Sequence, residues 1–225
     1  MIMNYIDRLH TFFEQLKENN NRPWFAEHKK EYEELRALWL EDIDRMIAAM
    51  TAWEPALAGQ TAKSCAYRIY RDTRFSPDKT PFKLYFSAAV SPWGRKTDRA
   101  GYYIETGIRG GNDEGLYAGI WCPEPPVLKK LRHAIVDNIE EFTDIIDNPE
   151  LRKNFPVWVG DTLKTVPKGW DRSHPQAELL RRKDYGRFAR CGTKFYRNND
   201  WPLVAADMFR TVKPFVDFLN YSIDE

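Results

Sequence analysis

Apolar residues recur at helical spacing through the amino-terminal part of the chain. Ile6, Leu9, Phe12, Phe13 and Leu16 share one face of a helix predicted over Tyr5 to Glu18. The Asn19-Asn20-Asn21 run ends it and offers a cap to the next helix, where Pro23 suits a first-turn position. From Trp24 to about Met50, the residues Phe25, His28, Tyr32, Leu35, Trp39, Ile43, Met46 and Met50 return every three or four positions, with Glu and Lys between them. That pattern predicts a long helix with one buried stripe, on which His28 reads as a hydrogen-bonded, half-buried residue.

After Glu54-Pro55 the period changes. Cys65 to Tyr70 and Tyr85 to Val90 read as strands. Tyr102 to Ile108 and Leu116 to Trp121 flank the turn-rich stretch Arg109 to Gly115 and predict a hairpin. Its glycines join two strands and lead into no helix, so they form a hairpin loop and not a phosphate cradle. Pro125 and Pro126 open a helix carrying Leu128, Leu131, Ile135, Ile139, Phe142 and Ile146. Short strands at Phe155 to Val159 and Tyr185 to Cys191, a short helix over Pro175 to Arg182, and a final helix from Trp201 to Ile223 complete the pattern. Pro214 is placed to bend that last helix. The order predicts a single α+β domain: an antiparallel sheet of about four to six strands packed against several helices.

Composition adds a charge pattern and a location. The formal net charge of +1 conceals two basic segments, since residues 63–99 carry nine basic and three acidic groups and residues 161–199 carry ten and four. If the two meet they make a cationic surface suited to an anionic partner; if not, each is a solvated face. The three cysteines, Cys65, Cys122 and Cys191, have no ligand-like spacing and read as reduced, inert thiols. No signal-peptide core and no membrane-spanning run is visible, which points to a soluble, cytoplasmic protein without a membrane partner.

The chemistry-bearing stretch is Tyr67 to Lys83. Arg68, Arg71 and Arg74 can fork around a phosphate or carboxylate, with Lys79 and Lys83 adding charge, on a loop stiffened by Pro77 and Pro81. The plainer alternative is that Asp72 and Asp78 pair with these arginines and pin the loop. A second basic motif, Leu163 to Lys183, brings Lys168 with Asp171, His174 and Glu178. These last three match no metal-ligand spacing, and His174 before Pro175 reads as fixing a turn. Neither a nucleophile nor a cofactor motif is visible, so no reaction type follows.

The run Arg68 to Lys83 (R-I-Y-R-D-T-R-F-S-P-D-K-T-P-F-K) resembles the hallmark of the uncharacterised family called domain of unknown function 2461. Phe12 to Leu16 with Asn19 to Phe25, Pro125 to Arg132, and Leu163 to Asp171 with His174-Pro175 and Glu178 to Leu180 resemble its other motifs. The resemblance spans essentially the whole chain. It implies a single-domain intracellular protein whose two basic motifs belong to one design, and it brings no catalytic residue with it.

Three functions stay open. The first is a site for a phosphate-bearing small molecule, built from Arg68, Arg71, Arg74, Lys79, Lys83 and Lys168, with Asp72 orienting an arginine or acting as base and Asp171 and His174 in support. The second is a scaffold whose ion pairs hold the fold. The third is a nucleic-acid module in which both basic segments follow a backbone while Trp93 or Trp170 stacks on bases. Oligomeric state is not legible.

Overall fold

The computed structural model describes residues 4–108 and 114–225. In chain order the elements are α1 (Tyr5–Glu18), α2 (Arg22–Glu27), α3 (Lys29–Thr51), α4 (Ala62–Cys65), β1 (Tyr85–Val90), β2 (Gly101–Gly107), β3 (Gly115–Ile120), α5 (Pro125–Asp137), α6 (Ile139–Ile146), α7 (Pro149–Asn154), β4 (Val157–Val159), α8 (Ala177–Leu180), β5 (Tyr185–Arg190), α9 (Thr193–Tyr196) and α10 (Trp201–Asp224). The strands form one antiparallel sheet in the order β1-β2-β3-β5-β4, with Trp158 opposite Arg187 in the last pair. The expected α+β class and strand number therefore hold. The proposed connection through Arg109 to Asp113 lies outside the described residues.

By its contacts the chain divides into two compact units, each discontinuous in sequence. The first comprises Met1–Arg95, Tyr103–Leu116 and Arg190–Asp207. Its α1 begins where the Asn4 side chain accepts from the Ile6 amide at 2.9 Å, relieving one of the free amides of a helix start. Ile6, Leu9, Phe12, Phe13 and Leu16 are all fully buried, as the spacing requires. On β1, Phe86 meets Phe13, Tyr32 and Trp39 with ring centroids 5.3, 5.8 and 5.4 Å apart. That aromatic cluster fixes α1 and α3 on the sheet.

The second unit comprises Lys96–Tyr102, Tyr117–Ala189 and Met208–Glu225. Its core is Leu131 and Ile135 of α5, Phe142 of α6, and Phe209, Val212, Phe215 and Leu219 of α10, all buried. Phe142 lies 5.0 Å from Phe218, and Trp158 of β4 meets Phe215 edge-on at 5.7 Å.

Three expected elements change. The long helix from Trp24 breaks at His28, whose ring Nδ1 donates to the Trp24 carbonyl at 2.8 Å and whose ring stacks on Trp24 at 3.8 Å. The helix from Pro125 breaks at Asn138, whose side-chain amide and backbone amide both donate to the Ala134 carbonyl, at 3.0 and 2.9 Å; such local bonding competes with helix continuation. The strand expected at Cys65 to Tyr70 is a short helix followed by an irregular pairing. Thr61 and Ser64 form a capping box that draws Ala62–Cys65 into α4, and Ala66↔Ala88 and Tyr70↔Phe82 pair antiparallel without a continuous ladder.

Candidate functional site: a braced basic loop

The ladder is interrupted at Arg68. Tyr67 donates to the Ser87 carbonyl and Lys83 to the Ile69 carbonyl, both at 2.8 Å. Only Arg68 separates the bonded positions on one side, whereas Leu84, Tyr85 and Phe86 separate them on the other. The surplus residues lie on the Leu84–Phe86 side, so the bulge is in that segment and Arg68 faces it across the interrupted pairing. Gly107 accommodates the bulge, because a Cβ at its φ of 153° would lie 2.5 Å from the Leu84 carbonyl oxygen. Arg68 is exposed and, among the described residues, makes no hydrogen bond or ion pair.

Asn20 anchors the same edge from below. Its side chain accepts from the Phe82 amide at 3.1 Å and donates to the Phe82 carbonyl at 3.0 Å, while Phe25 stacks on the Phe82 ring at 4.1 Å. The asparagine run that ends α1 thus also holds the start of β1 in register. Lys83 stands over two tyrosine rings, 5.3 Å from Tyr67 and 5.6 Å from Tyr85. Beside it the Tyr103 hydroxyl donates to buried Glu105 at 2.7 Å. Burial, then the Glu105 charge, raises the Tyr103 phenol well above its ordinary range.

Beyond Tyr70 the loop is braced from within. Arg71 donates to Asp78 and Thr80, and its amide donates to the Pro81 carbonyl at 2.9 Å. Arg74 binds Asp72 through Nε at 3.0 Å and Nη2 at 2.7 Å, and the same carboxylate accepts the Arg74 amide. Asp78 accepts the Thr80 amide at 2.9 Å, and Lys79 donates to the Thr73 carbonyl at 2.8 Å. These carboxylates accept from backbone two residues on, the turn-forming habit of aspartate. Both are held down at about 2: Asp72 by the Arg74 guanidinium and amide, Asp78 by the Thr80 amide and then Arg71.

At the tip of this loop Phe75 is 93% exposed, with Arg74 5.8 Å from its ring centroid. Sequence reasoning counted the cations of this stretch and passed over the phenylalanine between them. Its signal was an aromatic residue with no periodic apolar partner, set between an arginine and a Ser-Pro turn.

The second basic motif lies in the second unit. Lys168 is exposed. Asp171 accepts from the Ser173 amide and hydroxyl, at 2.7 and 2.6 Å, which lowers its carboxyl. His174 accepts the Gln176 amide at 3.0 Å through Nδ1, the turn role its position before Pro175 suggested. The same unit has a cleft of about 500 Å³ lined by Glu140, Glu141, Asp144, Ile145, Leu151 and Pro214, of opposite charge to the basic motifs. Of the three cysteines, Cys65 and Cys191 are buried and Cys122 is exposed. Among the described residues no group of three or more His, Cys, Asp or Glu is arranged to hold a metal ion, and no helix is long and apolar enough to cross a membrane.

A family model described as conserved hypothetical protein (DUF2461) matches residues 8–218, and the chain belongs to that family. No curated protein and no solved structure matches the chain.

Proposed function

We propose that this member of the family binds a phosphate-bearing or other anionic ligand at its first basic motif, with Arg68 as the principal contact and Lys83 and Lys79 beside it. The observation that carries this reading is the contrast among the arginines. Arg71 and Arg74 are engaged by Asp78 and Asp72, whereas Arg68, exposed opposite a bulge, makes no hydrogen bond or ion pair among the described residues and only adds its charge to the surroundings of Asp72. A guanidinium left open beside a stiff loop is ready to take an oxyanion with two parallel bonds. The three free thiols fit a reducing cytoplasm as the place where it acts.

A second reading has its own support. The internal ion pairs of Arg71 and Arg74 make these two residues structural, which assigns part of the motif to holding the loop's shape. The readings separate in one titration: pyrophosphate is added to the wild type and to Arg68→Ala and Arg74→Ala, and binding is followed by calorimetry. Loss of binding in Arg68→Ala with retention in Arg74→Ala is expected. Binding by Arg68→Ala equal to wild type would reject the site.

A further inference from the structure

We infer that the loop from Arg71 to Thr80 is a stacking platform for single-stranded nucleic acid, with Phe75 receiving a base and Arg68 taking a phosphate of the same strand. The inference rests on the anion-binding reading above and names the ligand class for the same surface.

Phe75 is the first ground. A phenylalanine ring 93% in water forgoes the roughly 1.5–3 kcal/mol that burying it would contribute. Its loop is nevertheless held in one shape by Arg71–Asp78, Arg74–Asp72 and Lys79 to the Thr73 carbonyl. A ring fixed in place before the ligand arrives loses little conformational freedom on binding. The second ground is the company the ring keeps. Arg74, 77% exposed, stands 5.8 Å from the ring centroid, and the same segment carries Tyr70, 52% exposed, and exposed Arg68. Residues 68–83 carry five basic and two acidic groups. A small inorganic anion has no use for an exposed aromatic ring. A strand of nucleotides alternates π-faces with negative charges, and aromatic rings interleaved with cations match that alternation.

An anionic membrane surface would also meet a cation and an aromatic ring. It fits less well here, because inserting Phe75 would carry the ionised Asp72 and Asp78 of the same loop toward the bilayer. Duplex nucleic acid keeps its bases stacked inside and offers Phe75 nothing.

The test is fluorescence anisotropy of a labelled oligonucleotide of about 12 nucleotides, within the usual footprint of such sites, with the full chain. A duplex of the same length, pyrophosphate, and vesicles with and without phosphatidylserine form the other arms. Phe75→Ala is expected to weaken single-strand binding by roughly 5- to 150-fold, the range that stacking on one base is worth. Phe75→Trp is expected to keep it, and pyrophosphate binding is expected to be the same in both variants. Since Phe75 is at the surface, unchanged melting curves exclude misfolding as the cause.

Pyrophosphate binding that depends on Arg68, combined with oligonucleotide binding indifferent to Phe75, would overturn this inference and leave the anion site standing. Equal affinity for single strand and duplex would overturn it as well. Phe75-dependent binding to phosphatidylserine vesicles alone would transfer the platform to membranes. Binding of neither pyrophosphate nor oligonucleotide would remove both readings.

Discussion

Asp42, inside the first unit, and Asp78, at its surface, each accept bonds from an arginine and from further donors, yet their surroundings give those bonds different consequences. Asp42 is 9% exposed and accepts from the Tyr5 hydroxyl at 2.5 Å, the buried Trp201 indole at 3.0 Å and Arg45 at 2.9 Å. It joins α1, α3 and α10. Burial, and then Asp42, pushes the Tyr5 phenol far above its ordinary range, so this hydroxyl stays a donor at any physiological pH. Asp78 joins residues that are already neighbours in sequence, in water. A buried polar group must be satisfied or the fold suffers; an exposed pair contributes little stability and can only choose among loop shapes. The same side chain thus secures the fold in one place and a surface conformation in the other.

The largest effect should come from the buried member. Asp42→Ala leaves the Tyr5 hydroxyl and the Trp201 indole without an acceptor, at about 1–3 kcal/mol for each stranded group. For a chain of this size that should lower the melting temperature by roughly 4–24 °C. Asp42→Asn keeps one carbonyl oxygen and should lose distinctly less. A thermal melt of the two variants checks both statements. A wild-type melting curve for Asp42→Ala would erase the distinction drawn here.

At the loop the expected effect changes in kind. Arg71→Ala should melt close to the wild type, because its partner is exposed, but chymotrypsin should cut after Phe75 several times faster once the Asp78 and Thr80 contacts are gone. Limited proteolysis followed by mass measurement of the fragments reads the site of cutting. A large fall in melting temperature with no change in cutting would make Arg71 part of the core framework and merge the two classes of carboxylate.

The sequence showed these two regions unequally. The apolar stripe of α1 was complete in the spacing of five residues, because a fully buried helix face leaves no freedom in its period. Asp42 was visible only as an acid on the stripe that carries Trp39, Ile43 and Met46, and nothing in the spacing said which distant donors would reach it. The segment after Cys65 misled for a physical reason. Alternation describes residues on a regular ladder, and here a capping box and a bulge at Leu84–Phe86, facing Arg68, consume the regularity. The cations of the loop were legible as composition. Their division into two engaged arginines and one open one depends on turns in which aspartate accepts from the backbone two residues on, and the exposure of Phe75 follows from those turns.

The smallest expected effect is also the sharpest test of how the loop is held. Asp72 and Asp78 each have a carboxyl held at about 2 in the folded chain, below the ordinary value of 3.8. A depressed carboxyl contributes its share of order fully above the unfolded value and loses it as pH falls through the folded one. The loop should therefore keep its shape from pH 7 down past pH 4 and loosen only as the solution approaches pH 2. The amide signals of Arg74 and Thr80, which donate to these two carboxylates, report the change directly in a proton–nitrogen NMR titration. Movement of both signals with a midpoint near 2 fits bracing by ionised aspartates. A midpoint near 4 would mean that the arginines and amides do not favour the charged form. The loop would then owe its shape to Pro77, Pro81 and the bonds from the Arg71 amide and Lys79 to backbone carbonyls, and the two aspartates would drop out of the mounting of Phe75.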